Sequence, residues 1–489
     1  MMSRLVLNVV AWLGVFTVGQ AAQSPNVIIF LVDDMGWTDL GCYGSDLYQT
    51  PHIDRLATSG MRFTDAYSAC TVCSPTRAAL MTGQYPARLH LTDWINGMWE
   101  GLSPAQRKKY RLRPPEWIQQ LEHRHTTLAE ALGQAGYRTA HLGKWHLTPR
   151  SNDAGVVSRF FPKRHGFEVN VAGNQWGAPG SYYWPYRRAR QKNNTVARVT
   201  NFPPSESTRG KYLTDMLADQ AVGLIERWKG ERFFLHLAHY AVHTPIQGRP
   251  ELVKKYQARV TPAHRHRNAE YAAMVESVDR SVGAVVSALD RLGLTDNTVI
   301  VFTSDNGGLI HARNGPTDNR PLRAGKGSAY EGGVRVPTIV SWPGRVPRNT
   351  TCREPVITCD LYPTVLEMTG VPGDVEHNSR VDGVSLLPVL TRDRASLGRS
   401  DLFWHYPHYH RGGATPYSAI RSGRWRLVEF YEDRRVELFH LGRDPGERKN
   451  LAKTHPRKAG ELRDLLHQWR RRVSAQPPRA NPEFQAPSG

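Results

Sequence analysis

Two stretches of the chain share one design, and that design narrows the possible folds sharply. Residues 25–37, PNVIIFLVDDMGW, and residues 297–308, NTVIVFTSDNGG, each run apolar without interruption and then end in acidic or amide residues. Such a run suits a strand buried on both faces of a sheet, with its polar residues at the C-terminal end. RFFLHLAHYAVHTP (232–245) and VPTIVSWPG (336–344) read as further strands. TLAEALGQAGYRTAHLGKWH (127–146) reads as a helix and then a strand, with Thr127 and Glu130 forming a capping box and Gly136 the stop. NAEYAAMVESVDRSVGAVVSALDRLG (268–293) has apolar residues at helical spacing and a terminal glycine, and CDLYPTVLEMTG (359–370) reads as another helix. Strands alternating with helices predict an α/β fold: a large mixed, mostly parallel sheet sandwiched by helices. Ligands of such sheets bind beyond the carboxyl ends of the strands, where the acids of these two runs lie.

The pattern changes after about residue 395. YSAIRSGRWRLVEF and RRVELFHL alternate like the strands of an antiparallel hairpin, and Leu462, Leu465, Leu466, Trp469 and Val473 form one helical stripe. This predicts a signal segment over 1–22, a catalytic domain over 23–395 and a smaller C-terminal α+β subdomain with an antiparallel sheet over 396–489. A chain of 489 residues fits that division into one large unit and one small one. The tail SAQPPRANPEFQAPSG is expected to be disordered or peripheral. Residues 96–123 and 150–210, rich in loop, basic and aromatic residues, read as insertions decorating one face.

The N-terminus, MMSRLVLNVVAWLGVFTVGQAAQSPN, has Arg4, an apolar run and then small residues. That is a secretory pattern with cleavage after Ala21 or Ala22, and it predicts a secreted or periplasmic protein without a stable membrane anchor. Hydrophobic residues at 40% and charged residues at 22% fit a globular chain and exclude a disordered one. A formal charge of +20 favours polyanionic partners: nucleic acid, anionic membrane or sulfated glycan. The five cysteines are Cys42, Cys70, Cys73, Cys352 and Cys359, and an odd number in an exported chain leaves at least one unpaired or special. Cys352 and Cys359 either close a local loop or remain free thiols.

Asp33-Asp34 and Asp305-Asn306 sit at the ends of the two apolar strands. Three carboxylates and an amide, all oxygen donors, suit a hard divalent cation rather than zinc. In GKWH, alternation puts Lys144 and His146 on one side if the strand continues through them, a pairing suited to an anionic group with an acid or base beside it. His243 follows another strand in VHTP, and Lys326 lies in the glycine-rich AGKGSAYEGGVRVP. In TVCSPTRAALMTG (71–83), Ser74 as N-cap and Pro75 as first residue predict a helix over about 75–82. Its N-terminus, with Arg77 one turn inside, would face whatever lies near Cys73, an anion-binding geometry that would also favour a thiolate. A thiol nucleophile, a disulfide half and a modified residue are all open for Cys73. The residues by themselves lead to a metal-assisted hydrolase of an anionic ester and do not distinguish phosphate from sulfate.

At this point the chain resembles the formylglycine-dependent (type I) sulfatases of the alkaline phosphatase superfamily, in particular the bacterial exported arylsulfatases and glycan sulfatases. CSPTRAALMTG carries their Cys-x-Pro-x-Arg core, and GYRTAHLGKWH is similar to their second signature. FLVDDMG, FTSDNGG, HTP and GKGSAYEGGVRVP fall in the family's order, and the resemblance runs from about residue 25 to 455, through ELFHLGRDPGERKNLA. It implies an alkaline-phosphatase-like fold. It also implies that Cys73 is oxidised to formylglycine (3-oxoalanine) by a separate maturation enzyme, which reads Cys73, Pro75 and Arg77 in the unfolded chain. A hydrated aldehyde carries two hydroxyls on one carbon: one attacks sulfur and displaces the alcohol, and the other, once deprotonated, expels sulfate. By the same resemblance Asp33, Asp34, Asp305 and Asn306 bind one Ca²⁺ together with modified Cys73. Arg77, Lys144 and Lys326 hold the formylglycine or the sulfate oxygens, His146 is the base of the second step, and Lys326 and His243 neutralise or protonate the leaving alcohol. Asn174 or Gln175 supplies a further polar contact.

Charge and export favour a sulfated polysaccharide over a small aryl sulfate, and the resemblance suggests a galactose or N-acetylgalactosamine sulfate. RRARQKNN (187–194) and HYPHYHRGG (405–413) offer basic and aromatic groups for sugar rings and neighbouring sulfates. No nucleic-acid partner is expected. Two other readings compete: a phosphodiester or phosphonate monoester hydrolase of the same superfamily, and a non-catalytic protein that binds sulfated glycan with Cys73 left as a thiol.

Overall fold

The computed structural model describes residues 24–189, 196–202, 209–311, 315–393 and 396–486. The expected leader and most of RRARQKNN lie outside these residues. In chain order the main elements are β1 (Asn26–Val32), α1 (Pro51–Ser59), β2 (Met61–Phe63), α2 (Cys73–Thr82), α3 (Leu128–Gln134), β3 (Arg138–Gly143), β4 (Val169–Val171), α4 (Leu213–Arg227), β5 (Phe233–Ala238), α5 (Ala269–Arg291), β6 (Thr298–Ser304), β7 (Thr338–Ser341), β8 (Thr350–Cys352) and α6 (Leu361–Thr369). The C-terminal subdomain adds β9 (Asp401–Tyr406), β10 (Tyr417–Ser422), β11 (Trp425–Phe430), β12 (Val436–His440) and α7 (Pro456–Arg472).

The main sheet has eight strands in the order β8-β2-β7-β6-β1-β5-β3-β4. Its pairs are parallel except where β7 meets β6 and β2, so the sheet is mixed and mostly parallel. The apolar run of β1 is explained by its place in the middle. Ile28, Phe30 and Val32 pack into the core beneath α4 and α5, while Val27, Ile29 and Leu31 pack into the core beneath α2, α3 and α6. Every residue of β1 is buried, and each face of the strand serves a different helical layer. The capping box at Thr127 forms as expected, with Glu130 N–H on Thr127 Oγ1 at 3.1 Å and Thr127 N–H on Glu130 Oε2 at 2.8 Å.

Register brings the strand ends level. Val32 pairs with Ser304, Leu31 with Ala238, and Gly143 with Ala238. The residues that follow β1, β6 and β3 therefore leave the sheet side by side at its C-terminal edge.

The C-terminal residues form a four-stranded antiparallel sheet, β9-β10-β11-β12, against which Leu462, Leu466, Trp469 and Val473 are buried. The same core takes in Tyr67, Cys70 and Val72, immediately before α2. The tail is peripheral, but residues 475–486 are not disordered. Arg479–Ala480 pairs with Leu112–Arg113, and Asn481 Nδ2 donates to the carbonyls of Arg107 (3.0 Å) and Tyr110 (2.8 Å), so one insertion anchors the chain's end. None of the five cysteines is joined in a disulfide, so no Cys352–Cys359 loop is closed.

Candidate active site

The level strand ends set Asp33-Asp34 beside Asp305-Asn306. The Asp34 N–H donates to Asp305 Oδ1 at 3.2 Å, and Asn306 Nδ2 donates to Asp34 Oδ1 at 2.8 Å. Asp34 has φ +64°, so the chain turns sharply after Asp33 and both carboxylates reach one point. Ser304 fixes the facing turn, its Oγ donating to Asn306 C=O at 2.9 Å and accepting Met35 N–H at 3.0 Å.

Cations meet each acid. Lys144 Nζ lies 2.7 Å from Asp33 Oδ2, and Lys326 Nζ lies 2.6 Å from Asp34 Oδ1. Arg77 closes a fork on Asp305 Oδ2 through Nε (2.9 Å) and Nη2 (2.7 Å), and its Nη1 donates to the Lys144 carbonyl at 2.6 Å. Its Nη2 also lies 3.9 Å from Asp33 Oδ1, so Arg77 joins Asp305, Asp33 and the Lys144 carbonyl. Three acceptors in this shell are buried without a donor: Asp33 Oδ1, Asp34 Oδ2 and Asn306 Oδ1. Buried oxygens are rarely left bare, because an unmatched one keeps its full desolvation cost. One ligand atom from each of Asp33, Asp34 and His243 lies within 4.8 Å of the others. Two carboxylates this close, in a shell with three bare acceptors, fit a hard divalent cation.

Charge tells the same story. Burial raises the Asp33 carboxyl well above its ordinary value against the pull of Lys144, and Asp305 and Asp34 add to the rise. Burial also opposes ionisation of Asp34, but Lys326, His243 and Lys144 hold its carboxyl below the usual range. Burial is the main reason the Asp33 carboxyl is raised, and a bound cation would favour its ionised form.

Cys73 is the first residue of α2, with Val72 as N-cap. The expected Ser74 cap does not form. Ser74 Oγ donates to the His146 carbonyl at 2.9 Å and accepts Ile95 N–H at 3.1 Å, so it ties Cys73 to two neighbouring segments instead. Cys73 Sγ lies 3.3 Å from His146 Nδ1. A low thiol pKa is not found, since burial raises it despite Lys144 and Lys326. Burial, with Lys144 and Arg77, holds His146 well below its ordinary value, so the ring is neutral.

Lys144 and His146 both reach the site, though not by strand alternation. β3 ends at Gly143, and His146 has φ +55°. Its ring is held by Gly177, where a Cβ would collide with it, a packing contact that the sequence did not signal. His243 Nε2 lies 3.7 Å from Asp34 Oδ2, and Nδ1 lies 2.8 Å from the Thr244 carbonyl, so the ring proton belongs on Nδ1 and Nε2 faces the acids. Burial and Lys326 lower its pKa to about 3. The sequence also missed Tyr182, whose hydroxyl donates to the His243 carbonyl at 2.9 Å, and Thr71, which holds the Lys326 loop. Asn174 is buried and shapes a turn, its Oδ1 accepting Trp176 N–H at 2.8 Å and its Nδ2 meeting Thr200 at 3.2 Å. Gln175 is half-buried beside it.

Known proteins are similar to this chain in sequence and in fold. A family profile described as Sulfatase matches residues 25–371, and one described as N-sulphoglucosamine sulphohydrolase, C-terminal, matches residues 325–474. A sulfatase of Formosa agariphila is 35% identical, with 89% of this chain and 86% of that protein covered. Human N-acetylgalactosamine-6-sulfatase is 32% identical, with 88% and 82% covered. The solved structure of Ps i-CgsB in complex with k-i-k-neocarrahexaose superposes with a TM-score of 0.76 at 29% identity, covering 95% of this chain and 94% of that one.

Proposed function

The chain belongs to the sulfatase family of sulfuric ester hydrolases, and we propose that it removes sulfate from a sulfated sugar by means of a formylglycine at position 73 and one bound Ca²⁺. The observation that carries this reading is that Cys73, 3.3 Å from His146, lies within electrostatic reach of Lys144, Lys326, Asp305 and Asp33, in a shell that holds three bare buried oxygens. Asp33, Asp34, Asp305 and Asn306, with the modified residue 73, would hold the cation. When bound, it would polarise the sulfate ester and favour ionisation of the attacking hydroxyl.

The chain's own groups do the rest. The N-terminus of α2 and the ammonium groups of Lys144 and Lys326 favour an anionic ester at Cys73. Arg77 keeps Asp305 turned toward the cation position. His146, neutral and 3.3 Å from the residue 73 side chain, is the base that takes a proton from the second hydroxyl so that sulfate can depart. Lys326, held positive by Asp34 although burial opposes its charge, neutralises the alcohol as it leaves. His243 keeps a bare Nε2 3.7 Å from Asp34 Oδ2 and would join Lys326 at the leaving oxygen after taking a proton from solvent water.

The basic surface and the sugar-directed relatives support a galactose or N-acetylgalactosamine sulfate as substrate, and an export signal over 1–22 fits a polysaccharide met outside the cytoplasm. Among the described residues no helix is long and apolar enough to cross a membrane. We place the division between the catalytic domain and the C-terminal subdomain at about residue 395. The test is mass spectrometry of the Cys73 peptide from the native host, followed by turnover of sulfate esters and phosphate diesters. An aldehyde and sulfate release are expected. A plain thiol in native protein, or phosphonate or phosphodiester turnover in place of sulfate turnover, would overturn the reading.

A further inference from the structure

The Lys326 loop is gripped on two sides. Toward the catalytic core, Lys326 N–H donates to Gly308 C=O at 3.0 Å, Gly327 N–H to Thr71 C=O at 3.1 Å, and Ser328 N–H to Thr71 Oγ1 at 3.1 Å. Toward the C-terminal sheet, Arg426 of β11 donates through Nη2 to Ala329 C=O at 2.8 Å and through Nη1 to Glu331 Oε1 at 3.1 Å. Glu447, from the DPGERKNLA segment, takes the Glu331 N–H on Oε2 at 2.7 Å and sets Oε1 3.3 Å from Arg426 Nε. Tyr67 hydroxyl completes the cluster on Glu331 Oε2 at 2.7 Å.

Arg426, Glu331 and Glu447 have no exposed surface. Apolar packing already joins the C-terminal sheet to the segment before α2, so adhesion does not require buried ions. Burying charge is costly, and a fork of charged hydrogen bonds provides what packing lacks, a single fixed arrangement. Glu447 also has φ +50°, an uncommon conformation for a residue with a Cβ, and its carbonyl is held by Arg323 Nη1 at 2.9 Å. Arg323 itself lies on the approach to Lys326, and its carbonyl receives Gly332 N–H at 2.9 Å.

We propose that Arg426 and Glu447 are positioning residues of the reaction: by gripping Ala329 and Glu331 they fix the Lys326 loop so that Lys326 meets the departing alcohol. This rests on the role given to Lys326 above. The C-terminal subdomain thereby takes part in leaving-group departure without touching substrate. A loosened grip weakens neutralisation of the alkoxide, and the loss grows as the alcohol becomes a poorer leaving group.

The experiment is a double-mutant cycle on protein carrying a measured fraction of residue 73 aldehyde. Glu447→Gln, Lys326→Ala and the double variant are assayed on aryl sulfates of graded phenol acidity and on a sugar sulfate. Glu447→Gln is expected to lower kcat/KM about tenfold or more on the poorest leaving groups and progressively less on the best. In the Lys326→Ala background it should add less than about twofold. Equal losses on every substrate, or losses that multiply independently of Lys326→Ala, would overturn the proposal. Should Glu447→Gln fail to fold, Arg426→Lys, which keeps the charge and loses the fork, goes through the same cycle. A wild-type enzyme that releases no sulfate would sink the proposed function itself, whereas an active enzyme with independent losses sinks only the clasp.

Discussion

Two clusters of buried charge flank the Lys326 loop, and they are finished differently. At the strand ends, Asp33, Asp34 and Asn306 each keep a bare oxygen turned inward. In the clasp, each carboxylate oxygen of Glu331 and Glu447 faces a guanidinium, a hydroxyl or an amide. Both clusters are fully buried, so burial does not separate a site from a strut. What is left over does: in the clasp the atoms without a hydrogen bond, Glu447 Oε1 and Arg426 Nε, are an acceptor and a donor that face each other at 3.3 Å, whereas at the strand ends all three are acceptors, as a bound cation would require.

The comparison breaks most visibly at Cys73. Cys73→Ala should lower sulfate ester turnover by at least about 10³-fold with little change in melting temperature. Cys73→Ser should release alcohol once and stall, since a serine ester has no second hydroxyl to expel sulfate, and a pre-steady-state burst without turnover would show it. Next comes the clasp. Arg426→Met strands two buried carboxylates, and urea denaturation should reveal a loss of about 3–5 kcal/mol whether or not calcium is present. Calcium should act on the other cluster alone. Chelation should lower the melting temperature reversibly, with calcium at a hundredfold excess over its Kd restoring about 2.7 kcal/mol, and Asp34→Asn should abolish most of that shift.

The smallest effect per pH unit comes from the imidazoles near the sheet edge. Burial, and for His141 also Arg77, lowers the pKa of His141 and of His239 to about 3 each. An unfolded histidine titrates near ~6.5, so below that pH the unfolded chain binds more protons than the folded one. Stability should therefore hold above pH ~6.5 and fall from there toward pH ~3, by up to about 1.4 kcal/mol per unit for each ring. Denaturant midpoints measured across that window check the sign.

How much of this the sequence disclosed follows from range. Patterns within one element were legible: the apolar strands ending in acids, the Thr127 capping box, the helix over Ala269–Arg291, the C-terminal hairpin and its helical stripe. The site residues came from strand ends that register makes level, and Val32 and Ser304 are paired as that expectation requires. What misled were local rules overridden by distant partners. Ser74 has the chemistry of an N-cap, but the His146 carbonyl and the Ile95 amide engage it first. Alternation could not place His146, because a left-handed turn and Gly177 do so. The tail has no core residues of its own, and its order comes from pairing with Leu112–Arg113. Glu447 is one acid among many until the fold sets it beside Arg426.

Cys73 and Arg77 are only 3% and 2% exposed in the finished fold, and that burial sets a clock. Cys73 is closed in by Asp305 and Lys326, which leave the ribosome some 250 residues after it. At roughly 5–20 residues per second, the peptide around Cys73 is reachable for on the order of ten to fifty seconds before its last neighbours arrive. An enzyme that converts Cys73 to the proposed formylglycine would therefore work against elongation. Faster synthesis, or earlier folding of the first strands, would yield a chain that is perfectly folded and permanently unprimed.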